Sequence, residues 1–309
     1  MAVRLEEISA SPMLKEYAQG AAQDAVQPVA DFLAPTVPVS VSVGRYKVYD
    51  EKHRFRIPDA KRGMGGRATE LSFGATDATY RCEPYALDFP VDNLEELETE
   101  QELVSILQEG ATMIAEVAGL SHEKEVIDLA LTTVGAGTNV DFSTGDPVDL
   151  IDEQILNVIK EAKYGSLMGI GVLFGATAFR RFKNSPAVRA RFVTAGSAAI
   201  PNVTPDAASD LLLGRPDTRV SYMVYDNAVE GVAEDIQFVL DASVLIFARR
   251  QSPTRRDPSF MKTFRLAGNF MVPGSYTRDD GRVQVAKYDW SEDIKVGNSS
   301  ACARLNPTA

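Results

Sequence analysis

The chain has 309 residues, 45% of them apolar, and a net charge of −11, from 32 Lys and Arg against 43 Asp and Glu. The apolar share excludes disorder as a description of the whole chain. The acidity excludes a nucleic-acid binder that works by net charge, because phosphate contacts need surplus Lys and Arg. Two widely separated cysteines, Cys82 and Cys302, form neither a disulfide framework nor a CxxC pair, and both are expected as reduced thiols. The two histidines, His53 and His122, lack the i, i+4 partner of a metal helix and are expected at the surface. There is no GxSxG elbow and no GxxxxGK[ST] loop, and the glycines of Gly169-Ile-Gly171-Val-Leu-Phe-Gly175 lie inside an apolar run. No catalytic residue, cofactor or metal site is therefore assigned. The most apolar stretch, Leu167–Phe179, is shorter than the ~20 residues a membrane helix needs, so no membrane is expected. The start, Met1-Ala-Val-Arg-Leu-Glu-Glu7, carries acids and does not read as a secretory signal.

Residues 1–43 read as an arm. Pro28, Pro35 and Pro38 are expected to forbid a helix and favour an extended path. Residues 44–92 read as a long two-stranded excursion. Tyr46, Val48, Phe55 and Ile57 alternate with polar residues on the way out, and Tyr85-Ala-Leu-Asp-Phe-Pro-Val91 alternates on the return. The tip, Lys61-Arg-Gly-Met-Gly-Gly-Arg67, has the glycines of a flexible turn. Up to Arg67 the excursion carries eight cations (Arg45, Lys47, Lys52, Arg54, Arg56, Lys61, Arg62, Arg67) against three anions. With so little apolar surface it needs something to lie on.

A helix is predicted from about Asn93 to Ala118, on the spacing of Leu94, Leu97, Val104, Leu107, Ala111, Ile114 and Ala118. Gly119 would cap it, and Ser121 would start a second helical piece. Its outer face is acidic. Residues 88–128 hold twelve carboxylates against Lys124 alone, which equals the entire net charge. From about 146 the texture is mixed α/β. Asp146-Pro147 opens a helix with a stripe of Ile151, Ile155, Val158, Ile159 and Ala162. Then come a buried strand to Phe174, a short helix over Gly175–Lys183, and a helix opened by Thr204-Pro205-Asp206 and stopped by Gly214. Strands are predicted over Val220–Tyr225 and Ala242–Phe247, and strand pieces flank the turn Arg278-Asp-Asp-Gly281.

In this order the segments resemble the major capsid protein of tailed bacteriophages, the Hong Kong 97-type capsid fold. The residues that carry the resemblance are Tyr46-Lys-Val-Tyr-Asp50 through Pro90-Val-Asp92, Asn93 to about Val134, Gly171 through Arg191, and Ala248-Arg-Arg250 through Ser259-Phe-Met-Lys-Thr-Phe-Arg265. The resemblance implies an α+β subunit with an N-terminal arm (1–43) and an extended β-hairpin loop (44–92). A peripheral domain with a long spine helix (93–145), an axial α/β domain (146–250) and a return to the peripheral domain with C-terminal strands (251–309) complete it. It implies a structural protein, not an enzyme. Hexamers and pentamers of it would close an icosahedral shell around packaged double-stranded DNA, held without sequence-specific binding. A scaffolding protein and a portal are implied, with room for a decoration protein. Such a protein belongs to the virion and is assembled in the host cytoplasm. The short arm and Met1 point to a scaffolding protein on a separate chain.

Opposite charge then suggests the contacts between subunits. Arg45, Lys47, Lys52, Arg54, Arg56, Arg62 and Arg67 are expected to lie across Glu95, Glu96, Glu98, Glu100 and Glu102 of a neighbour. Arg180 and Arg181 belong to a basic stretch with no acid between 162 and 205. They are expected at contacts around a capsomer, or against DNA on the inner surface. Two alternatives stand beside this reading: an encapsulin-like shell that encloses protein, and an acidic α/β enzyme using a carboxylate pair such as Asp226 and Asp241.

Overall fold

A computed structural model describes residues 28–49, 57, 59–62, 64–67, 69–70, 75–94, 103–162, 169–192, 203–229, 231–250, 252–255, 257–267, 272–279 and 281–308. In chain order it has α1 (Pro28–Leu33), β1 (Thr36–Val39), β2 (Val43–Tyr49), β3 (Ala75–Arg81), β4 (Glu83–Asp92), the long α2 (Leu103–Val134) and β5 (Thr138–Asp141). Then follow α3 (Pro147–Ala162), β6 (Gly169–Gly175), α4 (Ala176–Asn184), α5 (Pro186–Phe192), α6 (Pro205–Leu211), β7 (Asp217–Ser221), β8 (Val224–Asp226), β9 (Ile236–Phe238) and β10 (Val244–Arg249). The chain finishes with β11 (Met261–Leu266), β12 (Val272–Thr277), β13 (Val283–Val296) and β14 (Cys302–Thr308).

The first sheet is built on β13. β4 runs antiparallel along one edge of it, from Val283↔Asp92 to Glu292↔Glu83. β12 and β11 share the other edge, and β1 joins β11 in parallel. The second sheet has the order β5-β14-β10-β6-β7. It draws on residues 138–141 and 302–308 as well as on the 146–250 span, and the last strand of the chain sits between β5 and β10. Two small hairpins stand apart from both sheets, β2 with β3 and β8 with β9.

α2 joins the two sheets. Its first half buries Ile106, Leu107, Ile114, Ala115 and Ala118 on Val91, Ala286, Tyr288 and Trp290 of the first sheet. Gly110 faces that sheet because the Phe89 ring leaves no room, as a Cβ there would stand 2.2 Å from it. The second half puts Val126, Ile127 and Ala130 into the larger core with Phe32, Phe142, Phe174, Phe182 and Phe247. Each fully buried side chain of this size is worth roughly 1.5–3 kcal/mol over its exposed state.

Several sequence expectations change. The proline-bearing segment 28–38 is not wholly extended. Pro28 begins α1, where a missing N–H has no intrahelical partner to lose, and Val29, Ala30, Phe32 and Leu33 are buried. Pro38 sits in β1, an edge strand paired only with β11. α2 runs unbroken through Gly119 and Ser121, so Gly119 caps nothing. Burial on both sides outweighs the cost of about 1 kcal/mol for a glycine inside a helix. The strand predicted over Val220–Tyr225 divides at Tyr222 and Met223 into β7 and β8, which pair with different partners. Other local signals hold. Asp146 accepts from Val148 N at 3.1 Å at the start of α3, and Thr204 Oγ1 from Ala207 N at 3.2 Å at the start of α6. Gly281, at φ +70°, donates its N–H to Arg278 O at 2.8 Å in the β12–β13 turn.

Gly175, at the passage from β6 to α4, fits only because it has no side chain. A Cβ there would stand 2.1 Å from the Asp241 carbonyl oxygen. Gly175→Ala is expected to lower stability by about 1–3 kcal/mol or more, since backbone rather than a movable side chain is in the way. Urea denaturation measures this, and an unchanged midpoint would refute the close packing.

Candidate functional site

The β2–β3 hairpin leaves the body from a firmly packed root. Tyr80 is buried and stacks on Phe264 of β11, with ring centroids 4.7 Å apart and 17° between planes. Tyr46 lies 5.4 Å from the same ring. Gly44, opposite Tyr80 in the register, makes room, because a Cβ there would stand 2.4 Å from the Tyr80 hydroxyl. Val37, Val39 and Cys82 complete the cluster, and Arg81 N donates to Asp293 Oδ2 at 2.8 Å. Beyond the root the described residues have no such support. Ile57 and Met64 are almost wholly exposed. Among the described residues of the tip the bonds are local, Arg62 Nε to Gly66 O at 2.7 Å, Thr69 Oγ1 to Asp59 O at 3.0 Å and Lys61 N to Asp59 Oδ1 at 3.0 Å, with Gly65 at φ +77°. Of the candidate cations, Arg45, Arg62 and Arg67 are exposed. The Lys47 backbone lies in β2. Its side chain, and Lys52, Arg54 and Arg56, lie outside the described residues, as do His53 and the acidic Glu95, Glu96, Glu98, Glu100 and Glu102.

The described part of α2 presents Glu109 and Glu116 to solvent, with Met113 and Val117, each 54% exposed, beside them. His122 is not a surface residue. It is buried, and its Nδ1 lies 3.0 Å from Glu292 Oε1 on β13. Arg265 Nε donates to the other oxygen at 2.9 Å, and Trp290 Nε1 to Oε1 at 3.1 Å. Burial alone would raise the Glu292 carboxyl, but the bonds and charges of His122 and Arg265 outweigh it and hold the group at about 2. The next residue, Glu123, points to β7 and accepts from Ser221 Oγ at 3.2 Å. Burial pushes its carboxyl up to about 7, the Ser221 hydroxyl pulling it partly back. Neither cluster was legible in the sequence, since His122 and Ser221 are unremarkable there and their partners are far along the chain.

Arg180 is exposed on α4. Arg181 turns inward and donates Nη1 to the Pro307 carbonyl. Arg189 reaches Asn184 Oδ1 at 2.6 Å, and Arg191 pairs with Asp146. The β8–β9 hairpin is apolar outside, exposing Tyr222, Val224, Val229, Val232, Ile236 and Phe238, and it carries Asp226, Glu234 and Asp235. The Asp226 carboxylate accepts from Ala228 N at 2.8 Å and Asp235 N at 2.9 Å, which lower its pKa and tie the hairpin together. That is a turn-closing role. Cys82 and Cys302 are free thiols. Among the described residues no group of His, Cys, Asp and Glu could hold a metal ion, and no helix is long and apolar enough to cross a membrane.

Three solved structures are similar over nearly their whole length. A phage-related protein of Bordetella bronchiseptica is 16% identical, with 96% of each chain covered and a TM-score of 0.67. The capsid of Cyanophage P-SCSP1u is 10% identical over 89% of this chain and 86% of that one, at 0.58. The chain has the Hong Kong 97-type capsid fold. The SrpI encapsulin of Synechococcus elongatus shares this fold at 15% identity, covering 91% and 88%, at 0.54. In sequence, the major capsid protein of Pseudomonas phage JBD67 is 36% identical over 63 residues, and this match spans 20% of each chain. No family model matches the chain.

The stability that Glu292 supplies as a carboxylate is present in full above its ordinary value of 4.5 and is lost as pH falls through about 2. Glu292→Ala should flatten that acid limb of the melting temperature and cost about 3–5 kcal/mol, because it removes the buried carboxylate that His122, Arg265 and Trp290 all bond.

Proposed function

We propose that the chain is the major capsid subunit of a tailed phage, a structural protein that closes with its copies into a head shell around packaged DNA. The observation that carries this is the hairpin rooted by Tyr80 and Phe264, whose described far-end residues expose Ile57 and Met64 and make local bonds. Such a ribbon is marginal in water by itself. A shell places the next subunit beneath it. The basic ribbon, Arg45 through Arg67, then crosses the acidic stretch Glu95 through Glu116 of a neighbour. Met113 and Val117 supply apolar cover for the exposed residues of the tip. One exposed ion pair is worth only about 0–1 kcal/mol. Many such pairs repeated around a closed shell act together and fix register.

In this reading residues 44–92 are the extended loop and 93–145 hold the spine helix in a peripheral domain, which the chain rejoins after residue 251. The second sheet forms the axial domain around residues 146–250, with β14 added. Arg180, with the acidic and apolar β8–β9 hairpin of the next copy, makes the contacts around hexamers and pentamers. The net charge of −11 suits a container that encloses DNA without gripping it. Assembly would take place in the host cytoplasm with a separate scaffolding protein and a portal. The likeness to an encapsulin supports a second reading, the same shell enclosing protein.

Electron microscopy of the purified full chain should show closed shells tens of nanometres across, and the nature of their contents separates the two readings. Arg54→Glu with Arg56→Glu should abolish or misdirect closure while the subunit melts at the wild-type temperature. Normal shells in normal yield from that variant would refute the ribbon-on-helix contact. Arg180→Glu should likewise reduce the yield of shells, read by size exclusion.

A further inference from the structure

α2 changes partner half-way along. Residues 106–118 bury on the first sheet and residues 126–130 in the second core. Between them stand His122 and Glu123, both buried, which reach in opposite directions, His122 to Glu292 on β13 and Glu123 to Ser221 on β7. The two contacts differ in kind. His122 joins a network in which Arg265 and Trp290 also bond the Glu292 carboxylate. Glu123 has no exposed surface, one hydroxyl donor at 3.2 Å, and a second oxygen, Oε2, without a hydrogen-bond partner.

The charged groups that the described residues place on the surrounding elements have partners of their own. On α1, Asp31 accepts the Thr36 hydroxyl at 2.8 Å. On β7 and β10, Asp217 pairs with Arg249 at 2.7 Å, and the guanidinium groups of Arg219 and Arg249 lie over the Phe32 ring. On β14, Arg304 bonds Ser243, Asn306 and the Gly135 carbonyl. On α2 itself, Lys124 pairs with Asp128 at 2.6 Å and lies over the Tyr225 ring, and Glu125 is exposed. The acidity of Glu123 is set by desolvation and the Ser221 hydroxyl. A carboxylic acid is at home in such a place, whereas an uncompensated carboxylate is not.

We propose that Glu123 is a protonation latch between the two sheets. As the neutral acid it sits at no charge cost between α2 and β7. On losing its proton it becomes a buried charge whose desolvation cost outweighs the Ser221 bond and favours opening there, while the His122–Glu292–Arg265 network keeps the helix on the first sheet. The second sheet thereby gains freedom to move on the helix as pH rises toward neutrality. The sign follows from linkage: the contribution of a carboxyl raised from 4.5 to about 7 is present in full below 4.5, declines as pH rises and is gone above about 7. The latch rests on the fold alone and stands whether or not the chain forms a phage shell.

Hydrogen exchange of the purified full chain, from about pH 5 to about pH 8 and corrected for the intrinsic pH dependence of exchange, tests it. Amides of residues 119–128 and 217–221 should lose protection with a midpoint between 4.5 and about 7 and level off above it, while residues 285–294 keep theirs. In Glu123→Gln, which stays neutral, the step should vanish. A flat wild-type profile, or the same step in Glu123→Gln, overturns the latch. Should Glu123→Gln fail to fold, Ser221→Ala decides. Loss of the hydroxyl that favours the anion must move the wild-type midpoint upward, and a midpoint that stays or falls overturns the proposal.

Discussion

α2 has to bury two different stripes along one axis, Ile106 to Ala118 against the first sheet and Val126 to Ala130 against the second. A straight helix presents residues three and four apart on one face, so a change of partner along its length sets the angle between the sheets. The other long-range arrangements follow from that helix. β13 can be long because α2 covers one of its faces, and β14 can end the chain inside the second sheet because the helix has already brought that sheet alongside. The glycines serve the same closeness. Gly110 lets the helix settle on Phe89, and the helix continues through Gly119 despite that residue's low helix propensity.

The polar residues at the changeover are of two physical kinds. A buried ion pair gains little net free energy against the cost of desolvating both charges, but each partner makes the other indispensable once buried. His122, Glu292 and Arg265 therefore fasten helix to sheet in one geometry. Among the described residues Glu123 meets the neutral Ser221 hydroxyl, and burial favours its uncharged form, so its contact depends on a proton. One turn of helix thus holds a permanent fastening on one side and a conditional one on the other.

Local chemistry was legible wherever a residue acts on its own neighbours. The caps Asp146 and Thr204, the turn at Gly281 and the stripe of α3 depend on spacing of a few residues, and the structure follows them, whereas the expected two-stranded course of 44–92 is met only where β2 pairs with β3, since Glu83–Asp92 joins β13 in the first sheet instead. Expectations failed where distant burial outweighs a local preference. Pro28 to Leu33 form a helix because Phe32 and Leu33 fill the second core, and the Gly119-Leu-Ser121 step does not break α2 because both its sides are covered. His122 read as a surface residue because its partner lies 170 positions away. The rooted hairpin was partly visible, its basic charge and poor apolar content standing in the sequence, while the Tyr80–Phe264 stack that anchors it was not.

What the sequence determined by itself was composition in order. A basic ribbon, an acidic stretch over residues 88–128 holding the whole net charge of −11, and a mixed α/β remainder succeed one another. Charge and periodicity are properties of neighbouring residues, so they survive without coordinates. What only the tertiary structure decided was pairing across distance. It set β14 between β5 and β10, Glu292 between His122 and Arg265, and Glu123 against Ser221. The reason is that a side chain's charge state and its partners depend on what is brought to it from elsewhere in the chain, and burial, which sets both, exists only once the sheets have closed on α2.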